Sequence, residues 1–281
     1  MNLDEEFRVS SPAPCAYQPG VALNALTLKQ LRSFGARPAV IAGDRVIAFD
    51  ELAERIDDRI AERGTNQRHV EVIVGRPDLE TVVDFLAALN IGNPVAFASG
   101  EVAAAQLETR FGDTEAGDIH PDLALLMSTS GTTGKSKLVR LSKTAVTSNA
   151  IAIADYLALG TDDRAITSLP LHYCYGLSVL TSHLAVGASV VLTENAVVDP
   201  CFWAAVDRWD VTGLAGVPYT FELLDRQRAT GVERLAARSL RYVTQAGGRL
   251  DPADVDHLVH LGDQHDFDMF VMYGQTEATA R

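Results

Sequence analysis

The chain has 281 residues, 47% of them hydrophobic and 22% charged, with a formal net charge of −13. That length can bury a sizeable core, and the negative charge disfavours a nucleic-acid backbone or an anionic membrane surface as partner. Three cysteines, Cys15, Cys174 and Cys201, are too few and too scattered for a disulfide framework or a metal cluster, which points to a reduced, cytoplasmic setting.

The opening MNLDEEFRVSS is acidic and lacks the apolar core of a secretion signal. DELAERIDDRIAERG reads as an amphipathic helix: Asp50 is placed to cap it, Leu52, Ile56 and Ile60 share a face, and Gly64 ends it. Short apolar runs then alternate with helical patterns. VEVIVG precedes DLETVVDFLAALNIG, PVAFA precedes EVAAAQLETRF, and LALLM leads into STSGTTGKSK. Further on, RAITSL precedes GLSVLTSHLAVG, SVVLTE precedes DPCFWAAVDRW, VTGLAGV precedes PYTFELLDRQRATG, LRYVTQ precedes DPADVDHLVHLG, and FDMFVMYG closes the series. Strand-then-helix alternation predicts an α/β protein with largely parallel sheets. A break near Gly160–Asp163 divides it into two αβ units, 1–160 and 161–281. No apolar run reaches the roughly 18 residues of a membrane span.

The stretch from Ser128 to Lys137 places small and hydroxyl-bearing residues directly after an apolar strand. Gly131 and Gly134 permit close backbone approach, Ser130, Thr132 and Thr133 offer hydroxyl donors, and Lys135 or Lys137 can neutralise charge. Successive N–H groups in such a turn can point inward and form an anion-binding nest suited to a polyphosphate; the alternative on these residues alone is a flexible turn rich in Ser and Thr. TGKS is not the end of a Walker A loop, because that motif needs glycine at 129 and this chain has threonine.

STSGTTGKSK resembles the phosphate-loop signature T-S-G-[ST]-T-G-x-P-K-G of the adenylate-forming superfamily, which includes acyl-CoA synthetases, luciferases and nonribosomal-peptide adenylation domains. Thr129, Ser130, Gly131, Thr132, Thr133, Gly134 and Lys137 match; Ser136 replaces the usual proline and Leu138 the usual glycine. YGQTE, Tyr273 to Glu277, resembles the family's Y-G-x-T-E signature. The resemblance implies that Tyr273 packs on adenine beside Gly274, that Thr276 contacts the α-phosphate and that Glu277 binds Mg²⁺, a hard cation that prefers carboxylate oxygen. QAGGRL is similar to the glycine pair lining the adenine and substrate slot, giving Gly247 and Gly248 with Arg249 beside them. An amide commonly found two residues before the motif tyrosine is replaced by Val271. LPLHYCYGLS resembles the segment bearing an aromatic or histidine gate beside the carboxylate site, a place that either His172 or Tyr173 can hold. Amino-acid-activating relatives carry an aspartate there for the substrate ammonium; residues 165–193 contain no Asp or Glu, which favours an acid without an α-amino group.

The resemblance implies two stacked αβ subdomains, like the N-terminal domain of an adenylate-forming enzyme stopped before its C-terminal domain. It further implies the N-terminal portion of an AMP-forming carboxylic-acid ligase. ATP and Mg²⁺ would serve activation, and CoA or a phosphopantetheine carrier protein would accept the acyl group. Complete family members add a ribose-gripping aspartate and a mobile domain with the adenylation lysine, so this chain alone is expected to turn over little. A C-terminal domain or separate complementing chain, or a second copy of the chain, is the expected partner for apolar surface left without cover. A non-catalytic nucleotide-binding or partner-binding module is the alternative.

Overall fold

Alternation of apolar side chains along β1 (Pro38–Ala42) sends Val40 into one core and Ile41 into another. The same split recurs in β8 (Ser189–Leu192), where Val190 and Val191 face opposite ways. The structure, a computed structural model, describes residues 24–64, 67–129, 137–226, 231–236 and 239–278. Its larger sheet has seven strands in the order β11-β10-β9-β7-β8-β1-β2. These are β2 (Arg45–Ala48), β7 (Arg164–Ile166), β9 (Gly213–Gly216), β10 (Tyr242–Gln245) and β11 (Asp268–Val271) with β1 and β8. All neighbours are parallel except β1 and β2, an antiparallel hairpin that turns at Gly43, where φ is 60°.

The smaller sheet has the order β3-β4-β5-β6, from Glu71–Val74, Val95–Ala98, Leu123–Ser128 and Leu138–Ser142. Its first three strands run parallel, and β6 returns antiparallel to β5. The α/β class and the largely parallel sheets agree with the sequence pattern. The sheets are not the two halves of the chain, however: β1 and β2 lie before residue 160 yet complete the larger sheet.

Helix α1 (Leu28–Ser33) precedes the hairpin, and α2 (Phe49–Arg63) follows it. Leu52 and Ile56 are buried on α2 and Gly64 ends it at φ 69°, but Ala48 takes the cap position. Asp50 instead sits in the first turn, where its carboxylate accepts from the Glu51 N–H and faces the positive end of the helix dipole. α3 (Leu79–Ile91) begins at Asp78, whose carboxylate accepts from Thr81 N–H at 2.8 Å, and stops at left-handed Gly92, φ 84°. Arg63 of α2 holds Glu71 and Asp84 at 2.8 Å each, tying α2 to β3 and α3. α4 (Glu101–Phe111) and α5 (Lys143–Tyr156) complete the layer around the smaller sheet.

Between the sheets runs α6 (Cys174–Ala185), buried from Tyr175 to Ala185. It carries no Asp, Glu, Lys or Arg, and its serine and threonine hydroxyls bond back to its own carbonyls: Ser178 Oγ to Tyr175 at 2.7 Å, Thr181 Oγ1 to Leu177 at 3.1 Å. A sequence of this kind can be surrounded by protein without stranding a polar group. α7 (Pro200–Arg208), α8 (Pro218–Asp225) and α9 (Pro252–His265) cover the far face of the larger sheet through Phe202, Trp203, Phe221 and Leu258. Among the described residues no helix is long and apolar enough to cross a membrane.

Candidate nucleotide and acyl site

The carboxyl ends of β7, β9, β10 and β11 open onto one region, the place where ligands bind in parallel α/β sheets. Three consecutive residues at the start of α6 reach three different walls of it.

His172 is half-buried and joins the sheets: its ring hydrogen-bonds the main chain of Gly75, the residue after β3. A Cβ at Gly75 would collide with the His172 main chain, so only glycine allows this approach. Burial holds the imidazole pKa below its ordinary value, with the Gly75 bond opposing. Tyr173 turns to the exit of β10. Its hydroxyl occupies the space a Cβ would need at Gly247, where φ is +80°, and its ring meets Tyr175 edge-on at 6.3 Å. Burial raises the phenol pKa, and Cys174 and Tyr175 add to the rise. Cys174 turns the third way, its Sγ 3.5 Å from Thr276 Oγ1. Burial pushes this thiol up, and the hydrogen bond to Thr276 opposes while the Glu277 charge reinforces the rise.

Thr276 and Glu277 lie in a short 3₁₀ turn, Thr276–Ala278. That turn packs on β6, and its Ala278 carbonyl accepts from Asn149 Nδ2 of α5 at 3.4 Å. Thr276 and Gly274 are half-buried, whereas Glu277 is exposed. Tyr273, 87% exposed, stands on the α5 side over a groove formed with Ala152, Ile153, Tyr156, Val271 and Met272. Gly248 lies against Pro218, where a Cβ would meet Cγ at 3.1 Å, and its carbonyl accepts from buried Gln245 at 2.8 Å; Arg249 is exposed.

The phosphate-loop stretch links β5 to β6. Thr129 N–H donates to the Lys137 carbonyl at 2.9 Å, one step past the Ser128–Leu138 pair, so the ladder pinches the loop at its neck. Ser130, Gly131, Thr132, Thr133 and Gly134 lie outside the described residues. Because β6 begins at the residue after Lys137, its packing on Thr276–Ala278 brings the neck of the first motif beside the second. Gly75, Cys174 and Asn149 were not singled out by sequence pattern. VEVIVG carries the one available signal, a strand closed by glycine.

Among the described residues no cluster of three or more His, Cys, Asp or Glu is arranged to hold a metal. A single exposed carboxylate such as Glu277 still fits Mg²⁺, which keeps waters and takes its remaining ligands from phosphates.

The profile of a family described as AMP-binding enzyme matches residues 117–281. The chain belongs to the AMP-binding enzyme family. Two curated relatives are CoA ligases. Indoleacetate–CoA ligase of Aromatoleum aromaticum is 33% identical over 182 residues, covering 63% of this chain and 34% of the relative. 2-Succinylbenzoate–CoA ligase of Bacillus velezensis is 32% identical over 174 residues, covering 59% and 34%. The chain thus spans about a third of the length of the curated relatives it matches. Among solved structures, the N-terminal subdomain of Klebsiella oxytoca NpsA, in complex with 3-hydroxybenzoyl-AMSN, gives a TM-score of 0.74 at 19% identity over 96% of this chain and 76% of that one. The o-succinylbenzoate CoA synthetase of Bacillus subtilis gives 0.70 at 22% identity over 90% and 59%. At these identities the likeness is one of fold: this AMP-binding enzyme chain has the fold of an adenylate-forming N-terminal subdomain.

Proposed function

We propose that this chain is the nucleotide-binding and acid-binding portion of an AMP-forming carboxylic-acid ligase. One observation carries the reading: the neck of the phosphate loop, the Thr276–Glu277 turn and the His172–Cys174 corner, remote in sequence, are linked through β6 and the Cys174–Thr276 contact. In the reaction, a carboxylate oxygen attacks the α-phosphorus of ATP, pyrophosphate leaves, and the acyl-adenylate passes its acyl group to a thiol of CoA or a carrier-protein pantetheine with release of AMP. Lys137 and the loop hydroxyls would neutralise and orient the phosphates. Thr276 would hold the α-phosphate through its hydroxyl, steadied by Cys174, while the Gly247–Gly248 main chain would line the nucleotide slot, with Tyr173 in the space beside Gly247. Glu277 would hold Mg²⁺, which would supply charge neutralisation to the phosphates. Tyr173 and His172 would border the acid, and the absence of Asp and Glu from 165–193 favours aryl or aliphatic acids over α-amino acids; the names of the two CoA ligases agree with that preference.

Calorimetry with MgATP tests the site. Lys137→Ala should weaken binding roughly tenfold, the worth of one charge-assisted hydrogen bond. Pyrophosphate release over a panel of aryl, aliphatic and α-amino acids tests the chemistry, with and without a complementing C-terminal polypeptide. Equal MgATP binding by wild type and Lys137→Ala would remove the phosphate-loop assignment. Turnover of a zwitterionic amino acid matching that of aryl acids would remove the acid preference.

A further inference from the structure

Two side-chain hydrogen bonds fasten α6 to β10. Near the site, Tyr175 Oη lies 2.7 Å from Thr244 Oγ1, both groups buried. Two turns further on, His183 Nε2 lies 2.6 Å from Tyr242 Oη, and His183 Nδ1 lies 2.8 Å from the Val179 carbonyl. Tyr242 and Thr244 are two apart on β10 and so share a face of the strand. The hydroxyl of Tyr242 is accommodated because its cross-strand partner is Gly213, where any Cβ would strike it. Val179 of α6 packs with Ala165 and Ala215 of the larger sheet, and each bond specifies one axial and rotational setting of α6 that apolar packing alone leaves looser.

The two fastenings differ in what they control. Tyr175 directly follows the His172–Cys174 corner, and Thr244 lies three residues before Gly247. We propose that the Tyr175–Thr244 hydrogen bond is a positioning device: it fixes the first turn of α6 against the exit of β10, and thereby where Tyr173 meets Gly247 and Cys174 meets Thr276. The His183–Tyr242 bond anchors the distal half of the helix and leaves the corner unaffected. Only the ligand arm of the test rests on the nucleotide reading above.

Alkylation of Cys174 by iodoacetamide, followed by peptide mass mapping, reports the corner directly, with exposed Cys201 as internal reference. Tyr175→Phe and Thr244→Val each delete one polar group at nearly constant shape. Both should speed Cys174 labelling about fivefold relative to Cys201, the opening expected from one lost buried hydrogen bond. Thr244→Ser, which keeps the hydroxyl, should label like wild type. Tyr242→Phe should lower the melting temperature yet leave Cys174 labelling within about twofold of wild type. Unchanged labelling in Tyr175→Phe and Thr244→Val overturns the proposal, as does an equal rise in Tyr242→Phe. MgATP titration of the same proteins separates the two readings. A wild-type chain that fails to bind MgATP removes the nucleotide reading, while the labelling rates still decide the positioning one.

Discussion

Asp163 sits in the turn before β7 with its carboxylate almost wholly enclosed. Burial alone would push its pKa up. Donation from Arg241 Nε and Nη2 (3.0 Å each), Gly160 N–H (2.8 Å) and the Thr212 hydroxyl (2.9 Å) outweighs this and holds it below the ordinary value. A depressed carboxyl contributes stability above the ordinary carboxylate range and loses it as pH falls through the folded value. Asp163→Asn should therefore cost about 2 kcal/mol at neutral pH, less than a fully buried pair because Arg241 is partly exposed. The gap to wild type should narrow below roughly pH 4. Urea unfolding at pH 7 and pH 3 measures both, and a gap independent of pH would sink the electrostatic account. This cluster shows the limit of reading residues in sequence, which marks 160–163 as a break and nothing more. Beside Gly160, its partners come from positions 212 and 241. The same holds at the site. YGQTE stands out in the sequence because its pattern is local, whereas Cys174, Gly75 and Asn149 acquire their contacts only when remote segments meet.

Elements whose ends are marked by their own residues read clearly from sequence. α3 is the plainest case, opened by Asp78 and closed by left-handed Gly92. Asp78→Ala should cost about 1 kcal/mol by stranding the Thr81 N–H, and Asp78→Ser should recover most of it. Guanidinium titration of the two variants measures this, and equal midpoints for wild type and Asp78→Ala would mean that the cap contributes nothing. Other elements left no such trace. α5, KTAVTSNAIAIADY, mixes β-branched and polar residues on its inner face: Thr147 and Asn149 are buried beside Val146 and Ala150. Its helical stripe is blurred because Thr147 satisfies its hydroxyl on the Lys143 carbonyl at 3.0 Å rather than facing water. β6 is short and follows a glycine-rich loop, and the β1–β2 hairpin precedes the first strand-and-helix unit; in both, an antiparallel strand follows a strand, outside the strand-then-helix alternation of the parallel units.

At the scale of the whole molecule, the first core joins what the chain order separates. Val190 and Leu192 of β8 and Leu180 and Leu184 of α6 pack with Phe85 and Val82 of α3 and Leu125 of β5. The sheets should accordingly unfold together. Both tryptophans, Trp203 and Trp209, belong to the second core, so their fluorescence reports the larger sheet while far-ultraviolet circular dichroism reports every element. We expect the two urea transitions to coincide; midpoints that separate would show two independently stable units.

The place of β1 carries one more consequence. Val40 pairs with Val190, so the hairpin borders a strand synthesised about 150 residues later. On a ribosome adding roughly 5–20 residues per second, that strand arrives on the order of ten seconds after the hairpin. For that interval β1 presents an unpaired edge and Val40, Ile41 and Ile47 lack the cores that later enclose them. The nascent chain is thus most vulnerable to strand-to-strand capture by a neighbouring nascent chain during this interval, and a chaperone that shields residues 38–48 would act on it there.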